Sequence, residues 1–341
     1  MNKDQIAERG ARLARRDDRE YREYLREEQR RQPGCPAREV VLDQRGQATR
    51  TLATVAIGVV LIGSAHAQRA SRYDVVDESA VTRTLSFAAG GGRSLDVRNI
   101  SGFIHVEGTN EASVQISIRK VIRADTRDDL AEAQRDVRLD FRDGAPRVEA
   151  VVTDRRGYVC GEPWNDGGQG LGRVHYEVRF DFTIRVPRDA QLRLCTINGG
   201  DVTVSGTQGD FDVSNVNGLI DMRQVAGSGR AHTVNGPVSV TFTANPKQAT
   251  SFKTVNGNVD VSFLEGLSAD FSMKTFNGGL FTDFDVQPLP GTVSAGERRN
   301  GRFVYRANEF TRVRVGSGGP QITFETLNGN VRARRAGGRA Q

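Results

Sequence analysis

Among the aspartates of the second half of the chain, Asp210, Asp212, Asp221, Asp260, Asp283 and Asp285 are the candidates for acid chemistry. Clustered carboxylates on one face of adjacent strands are how some β-helical enzymes cleave polysaccharides, one acid donating a proton and the other assisting attack. The spacing here does not pair them. Asp221 and Asp260 take equivalent outward positions with Ser239 between, and Asp283 and Asp285 flank Phe284 on an exposed side. Solvated surface acids are therefore the expectation, with calcium binding a weaker alternative. Of the histidines, His105, His175 and His232 follow residue 68, and none stands in a ligand spacing such as His-x3-His or beside a Cys-x2-Cys. His232 falls on the outward side of its segment, where a solvated ring is expected. Neither Gly-x-Ser-x-Gly nor a phosphate loop is present, and the runs at 89–92 and 167–168 lack the residues that give such glycines chemical meaning. No catalytic residue, metal or cofactor is expected.

Binding has more to work with. The segment 155–173 carries Tyr158, Pro163 and the single tryptophan, Trp164, with Asn165 and Asp166, followed by four glycines. An exposed ring on such a loop can stack on a glycan or a partner, so Tyr158, Trp164, Asn165 and Asp166 are the candidate binding residues; the alternative is that Trp164 plugs one end of the core. Cys160 and Cys195 form an even pair, compatible with a disulfide in an exported chain. A bridge would close a loop worth about 3–4 kcal/mol of chain entropy. Two unpaired small residues near strands are the other reading.

The elements that must position these residues are announced by a repeat. Thr196-Ile197-Asn198-Gly199 is followed by Asn215-Val216-Asn217-Gly218, Thr233-Val234-Asn235-Gly236, Thr254-Val255-Asn256-Gly257, Thr275-Phe276-Asn277-Gly278 and Thr326-Leu327-Asn328-Gly329. Successive glycines are 19, 18, 21, 21 and 51 residues apart, a near-constant period with one large insertion. Asn99-Ile100-Ser101-Gly102 is a degenerate earlier member. Apolar residues alternate before each turn, as in Leu192 and Leu194 or Phe271 and Met273, and after it, as in Val238, Val240 and Phe242. Each period therefore holds two strands. Asn-Gly is also the hairpin signal, since a type I′ turn needs positive φ at both central residues, and that would give a meander. Identity of the turn in every period favours coils in which equivalent residues stack about 4.8 Å apart and hydrogen-bond along the stack. The fold expected is all-β, a single-chain β-solenoid with rungs of about 20 residues, the asparagines and glycines being structural. One short helix is expected near 127–137, capped by Thr126, with Asp128 and Asp129 in its first turn.

The run Phe182-Thr183-Ile184-Arg185-Val186-Pro187, then Leu192-Arg193-Leu194-Cys195 and the Thr-x-Asn-Gly copies, resembles the bacterial "putative adhesin" domain-of-unknown-function family of β-strand repeats. It is also similar to the autotransporter-adhesin head domain named after its Gly-Ile-Asn pattern. The resemblance spans about residues 90–335 and implies a right-handed β-helix-like envelope protein without established catalysis. The N-terminal extension and the degenerate Ser101-Gly102 turn depart from the pattern.

Residues 51–67 are uncharged, follow Arg50 and end in Ala65-His66-Ala67, which reads as the apolar core and cleavage site of a signal peptide. The alternative is an uncleaved anchor, the single route by which the chain would meet a membrane. Residues 1–50 are densely charged and helix-prone, either preceding the true start or lying in the cytoplasm. The remaining expected divisions are an irregular β-rich part at 68–190, the regular repeat at 191–335 with an insertion at 286–318, and a basic tail at 336–341. Net charge is +6, split evenly about Gln68, too balanced for a nucleic-acid footprint. These features point to an exported protein of the periplasm, cell surface or medium, a structural or binding module whose partner is a surface glycan or envelope protein. A carbohydrate-active enzyme and a membrane-anchored signalling ectodomain are the competing classes.

Overall fold

The computed structural model describes residues 73–87, 92–143, 147–162, 174–289, 297–299, 302–304 and 310–336. The charged segment 1–50, the apolar segment 51–67, Trp164, Asn165, Asp166 and residues 337–341 lie outside the described residues.

The chain begins with β1 (Val75–Ser86), β2 (Ser94–Arg98), β3 (Ile104–Thr109) and β4 (Ser113–Ala124), then α1 (Arg127–Asp136), β5 (Arg138–Arg142), β6 (Arg147–Thr153) and β7 (Tyr176–Pro187). Helix α1 starts where expected: the Thr126 hydroxyl accepts from the Asp129 N–H at 3.2 Å, and Asp128 and Asp129 sit at the positive end of the helix dipole. The regular repeat follows as β8 (Gln191–Cys195), β9 (Val202–Ser205), β10 (Phe211–Ser214), β11 (Ile220–Val225), β12 (Gly229–His232), β13 (Val238–Phe242), β14 (Thr250–Lys253) and β15 (Val259–Phe263). The last part comprises β16 (Ala269–Asn277), β17 (Leu280–Thr282), β18 (Val286–Pro288), the hairpin β19 (Glu297–Arg299) and β20 (Arg302–Val304), β21 (Thr311–Val315), β22 (Gln321–Asn328) and β23 (Val331–Arg335).

The strands form two large sheets of ten and eleven strands, both mixed and neither closed, plus the small hairpin. Sheet A runs β1-β4-β7-β3-β9-β11-β13-β15-β23-β17, and sheet B runs β18-β21-β16-β22-β14-β12-β10-β8-β2-β6-β5. In the middle, each Asn-Gly turn carries the chain from sheet B to sheet A, and each new strand lies parallel to, and in register with, its equivalent one period earlier. The turn is therefore not a hairpin. Among the described residues Gln224, at a bulge in β11, is the one non-glycine with positive φ, so none of the asparagines adopts the conformation a type I′ turn requires.

Each residue of the motif has a separate task at this corner. The Thr254 hydroxyl donates to the Gly236 carbonyl at 2.7 Å; Thr233, Thr275 and Thr326 do the same to Gly218, Gly329 and Gly257 at 2.8–2.9 Å, and Asn215 substitutes its amide, donating to Gly200 at 3.0 Å. A Cβ on Gly257 would overlap that same Gly236 carbonyl, and one on Gly236 would overlap the carbonyl of Gly218. Glycine recurs because backbones of neighbouring coils touch there. The residue between Thr and Asn supplies an apolar stripe, Ile197, Val216, Val234 and Val255, separate from the main core.

That main core lies between the two sheets and collects inward residues from both of them. It is aliphatic around Leu95, Ile104 and Ile184, and aromatic toward the other end, where Phe242 and Phe263 stack at 5.3 Å and Phe271 meets Phe324 edge-on at 5.2 Å.

Order in space departs from order in sequence at both ends. The last copy of the motif does not follow Asn277: β22 lies between β14 and β16, and β23 between β15 and β17, parallel on both sides. Likewise β2 and β3 sit between β8–β9 and the later strands β6 and β7. Antiparallel strands then cover most ends of the stack, β4 and β1 on β7, β5 on β6, and β21 and β18 on β16. The described residues of 68–190 thus supply both strands parallel to the repeat, β2, β3, β6 and β7, and antiparallel strands on its ends, β1, β4 and β5.

Two outcomes test this architecture. Gly257→Ala is expected to cost about 1–3 kcal/mol through overpacking, and Thr254→Val about 1–2 kcal/mol through a stranded carbonyl, both read by urea unfolding; wild-type stability in either variant refutes the corner as described. Deleting residues 218–235, one whole coil, should leave a cooperative, cold-stable protein because β9 can rejoin β13 and β10 can rejoin β14. Deleting 321–335 should abolish cooperative unfolding, since it opens two sheets in their interior.

Candidate functional site

The repeated asparagines are committed to one another. The Asn217 amide donates to Asn198 Oδ1 at 2.8 Å, and the pattern continues from Asn235 to Asn217, Asn256 to Asn235, Asn328 to Asn256 and Asn277 to Asn328 at 2.7–2.8 Å. Every donor points the same way along the stack. The glycines Gly199, Gly218, Gly236, Gly257, Gly278 and Gly329 lie at the same corner, so the ladder spends its amides on structure.

The acidic residues do not converge. Asp221 and Asp260 stand in one outward row of sheet A with Ser239 between them. Asp221 pairs with Arg223 at 2.7 Å and Asp260 with Arg332 at 3.3 Å. Asp283 accepts the Arg335 backbone N–H, and Asp285 meets the Arg335 guanidinium at 3.1 Å. In sheet B, Asp212 pairs with Arg230 at 2.6 Å, while Asp210 accepts the Ser228 N–H at 2.8 Å. Among the described residues no three His, Cys, Asp or Glu gather as metal ligands would. His105 is exposed and stacks on Phe103 at 4.1 Å, and His175 meets Asp125 at 2.9 Å near the start of α1.

His232 is outward-facing but not freely solvated. Burial first, then the adjacent Lys253 and Arg230, push its pKa down to about 3, with Asp212 opposing. Its Nε2 lies 3.4 Å from Ser251 Oγ. Alternation located the face correctly, but only the neighbouring columns of side chains reveal how far they cover the ring.

Cys160 and Cys195 are bonded, with Cα atoms 5.8 Å apart. The bridge ties the segment after β6 to the end of β8 and places Tyr158 against the apolar stripe. Beside it, the fully buried Asp96 carboxylate receives two hydrogen bonds from Arg98 at 3.0 and 2.8 Å, and Arg98 also binds Glu162 at 2.7 Å. A charge at such depth is tolerated because it is paired and hydrogen-bonded. Of the candidate binding residues, Tyr158 is therefore positioned here.

This region of the outer face of sheet B is also concave. Three adjoining depressions, with volumes of about 360, 50 and 50 Å³, run across β8, β10 and β12. They share Arg193 and Asp212 at one junction and Cys160, Cys195 and Ser214 at the other. Sequence reading missed Arg193, Ser94 and Gln191, because Asp96 faces Arg193 only through the pairing of β2 with β8 across nearly a hundred residues.

No protein-family profile matches the chain, and no curated protein matches it either. Solved structures similar to it include a "putative cell adhesion protein" from Clostridium sporogenes, at 9% identity and a TM-score of 0.31 over 76% of this chain and 100% of that one. A "putative adhesin" from Bacteroides fragilis is similar at 9% identity and a TM-score of 0.30, over 75% of this chain and 97% of that one. Likeness of this degree decides neither fold nor function.

The His232 environment predicts a pH dependence. The folded state resists protonation, whereas an unfolded histidine takes a proton near pH 6.5. Between about pH 6.5 and 3 the unfolded chain holds the extra proton, so this group's contribution is complete above that window and is lost as pH falls through it. His232→Gln should flatten melting temperature against pH over this range relative to the parent; parallel curves would refute the assignment.

Proposed function

We propose that this protein is an exported cell-envelope module of adhesin-like character, a single-chain β-solenoid of the right-handed β-helix kind that holds surfaces toward a glycan or an envelope protein and catalyses no reaction. The observation that carries this reading is the in-register stack. Coils that repeat the same corner, bonded by Thr, Asn and backbone at every step, make a rigid support whose outward rows are spaced like the strands themselves. Such a support suits multivalent contact with a polymer better than the enclosure of a small substrate.

Two further features support it. The outward aspartates of sheet A are held by guanidinium or backbone N–H groups, whereas glycan hydrolysis needs two acids facing a shared bond. The Cys160–Cys195 bridge fits an oxidising compartment, in keeping with the signal-like segment 51–67. Among the described residues no helix is long and apolar enough to cross a membrane.

The test has two arms. Cells producing the full chain are fractionated and the envelope form is sequenced from its N-terminus: a start at Gln68 with both cysteines oxidised is expected, while retention in the cytoplasm with free thiols overturns export. The purified chain should then be retained by envelope polysaccharide or protein without releasing reducing ends. Release of reducing ends that disappears in Asp283→Ala/Asp285→Ala would establish an enzyme instead.

A further inference from the structure

Resting on the binding role proposed above, we infer that the trough across β8, β10 and β12 is a binding site for an uncharged, hydroxyl-rich chain, a linear oligosaccharide segment lying along the strand direction. The trough starts among Ser94, Gln191, Asp210 and Gln248 at the beginnings of the strands and passes Arg193. It ends against Tyr158, Ile197 and Val234 at the asparagine corner. Its depth has a local cause. Ser94, Ser214, Ser228 and Ala249 are short, and Gly229 can carry no side chain because a Cβ there would overlap the Phe211 carbonyl oxygen. The larger depression, about 360 Å³, is within the range of ligand sites.

The charges in it choose the ligand. Asp96 is held by Arg98, and Asp212 by Arg230. Arg193 stands in register between Asp96 and Asp212, exposed, and its guanidinium has no hydrogen bond or ion pair among the described residues. Asp210 accepts one backbone N–H and retains acceptor capacity. The charged groups of the trough outside an ion pair are thus one guanidinium and one carboxylate, balanced in charge. Hydroxyl groups suit this pair, because each can accept from Arg193 and donate to Asp210. A polyanion would meet the unneutralised Asp210, and a polycation would meet Arg193. The half-buried Tyr158 ring at the far end, packed against the buried Ile197 and Val234, offers a face to the C–H side of a sugar ring.

The experiment uses the full chain and titrates it calorimetrically with linear hexasaccharides of glucose, mannose, N-acetylglucosamine and glucuronic acid. Binding of at least one neutral hexasaccharide is expected, at least tenfold weaker in Arg193→Ala and lost in Gln191→Trp, whose indole fills the strand-start end. Thr203→Trp, on the outer face of sheet A, should bind as the parent does, and matching circular dichroism spectra exclude misfolding. Undiminished neutral-sugar binding in both trough variants, with loss in Thr203→Trp, overturns the trough while leaving the adhesive role intact. Preference for the glucuronic acid hexasaccharide overturns the charge argument, and no binding of any of the four overturns the site, whereas the adhesive role fails only if envelope proteins are not retained either.

Discussion

The constraint on which the molecule depends is the contact between backbones at the asparagine corner. Where one coil lies on the next, the corner glycine carbonyl of one accepts a hydroxyl or amide hydrogen from the next and leaves no room for a Cβ above it. The asparagine amides are then brought into range of one another, and the backbone N–H of Gly236 reaches the Asn256 carbonyl at 3.0 Å, as Gly218 does that of Asn235. Corner, ladder and strand register are one arrangement. Shifting a strand by a single residue would break all three and turn the core residues outward.

Such a stack has ends, and unpaired strand edges invite association with other chains. Here three of the four sheet ends are covered by antiparallel strands, β17 being the parallel exception, with a change in the order of the coils. At the C-terminal side the chain lays down β16 and β17 one place too far, adds β18 and β21, then returns through Gly316 to Pro320 to fill the vacant place with β22 and β23. That return crosses Leu267 and Ser268 so closely that a Cβ at Gly316 would meet the Ser268 hydroxyl and the Leu267 carbonyl at 2.7 and 2.9 Å, and Gly316 and Gly318 adopt φ of 59° and 79°. The consequence is that the terminal strands stand in the interior of both sheets.

The outer faces follow from the same register. In-phase coils put residues of like position into rows, so that Asp96, Arg193, Asp212 and Arg230 stand side by side on sheet B. Alternating charge in a row cancels repulsion between coils spaced by one strand width. Where short residues interrupt the rows the surface dips, and the disulfide and Tyr158 form one wall of that dip. Scaffold and surface are therefore not independent: the positions of the outward groups are set by the hydrogen bonds that hold the coils.

By itself the sequence determined the all-β class, the two strands per period, the capped helix after Thr126 and the structural part played by the repeated Asn and Gly, because all of these are written in local alternation and short motifs. It also put Cys160 and Cys195 forward as a candidate pair. Tertiary structure alone decided that the copy at Asn328 lies between Asn256 and Asn277, that β2 and β3 are interior, that His232 is shielded, and that Arg193 sits between two aspartates already engaged elsewhere. The reason is physical. Alternation fixes which face a side chain takes, but every coil offers the same edge chemistry to its neighbours, so which coil lies on which is settled by chain connection and close backbone packing over long sequence distances.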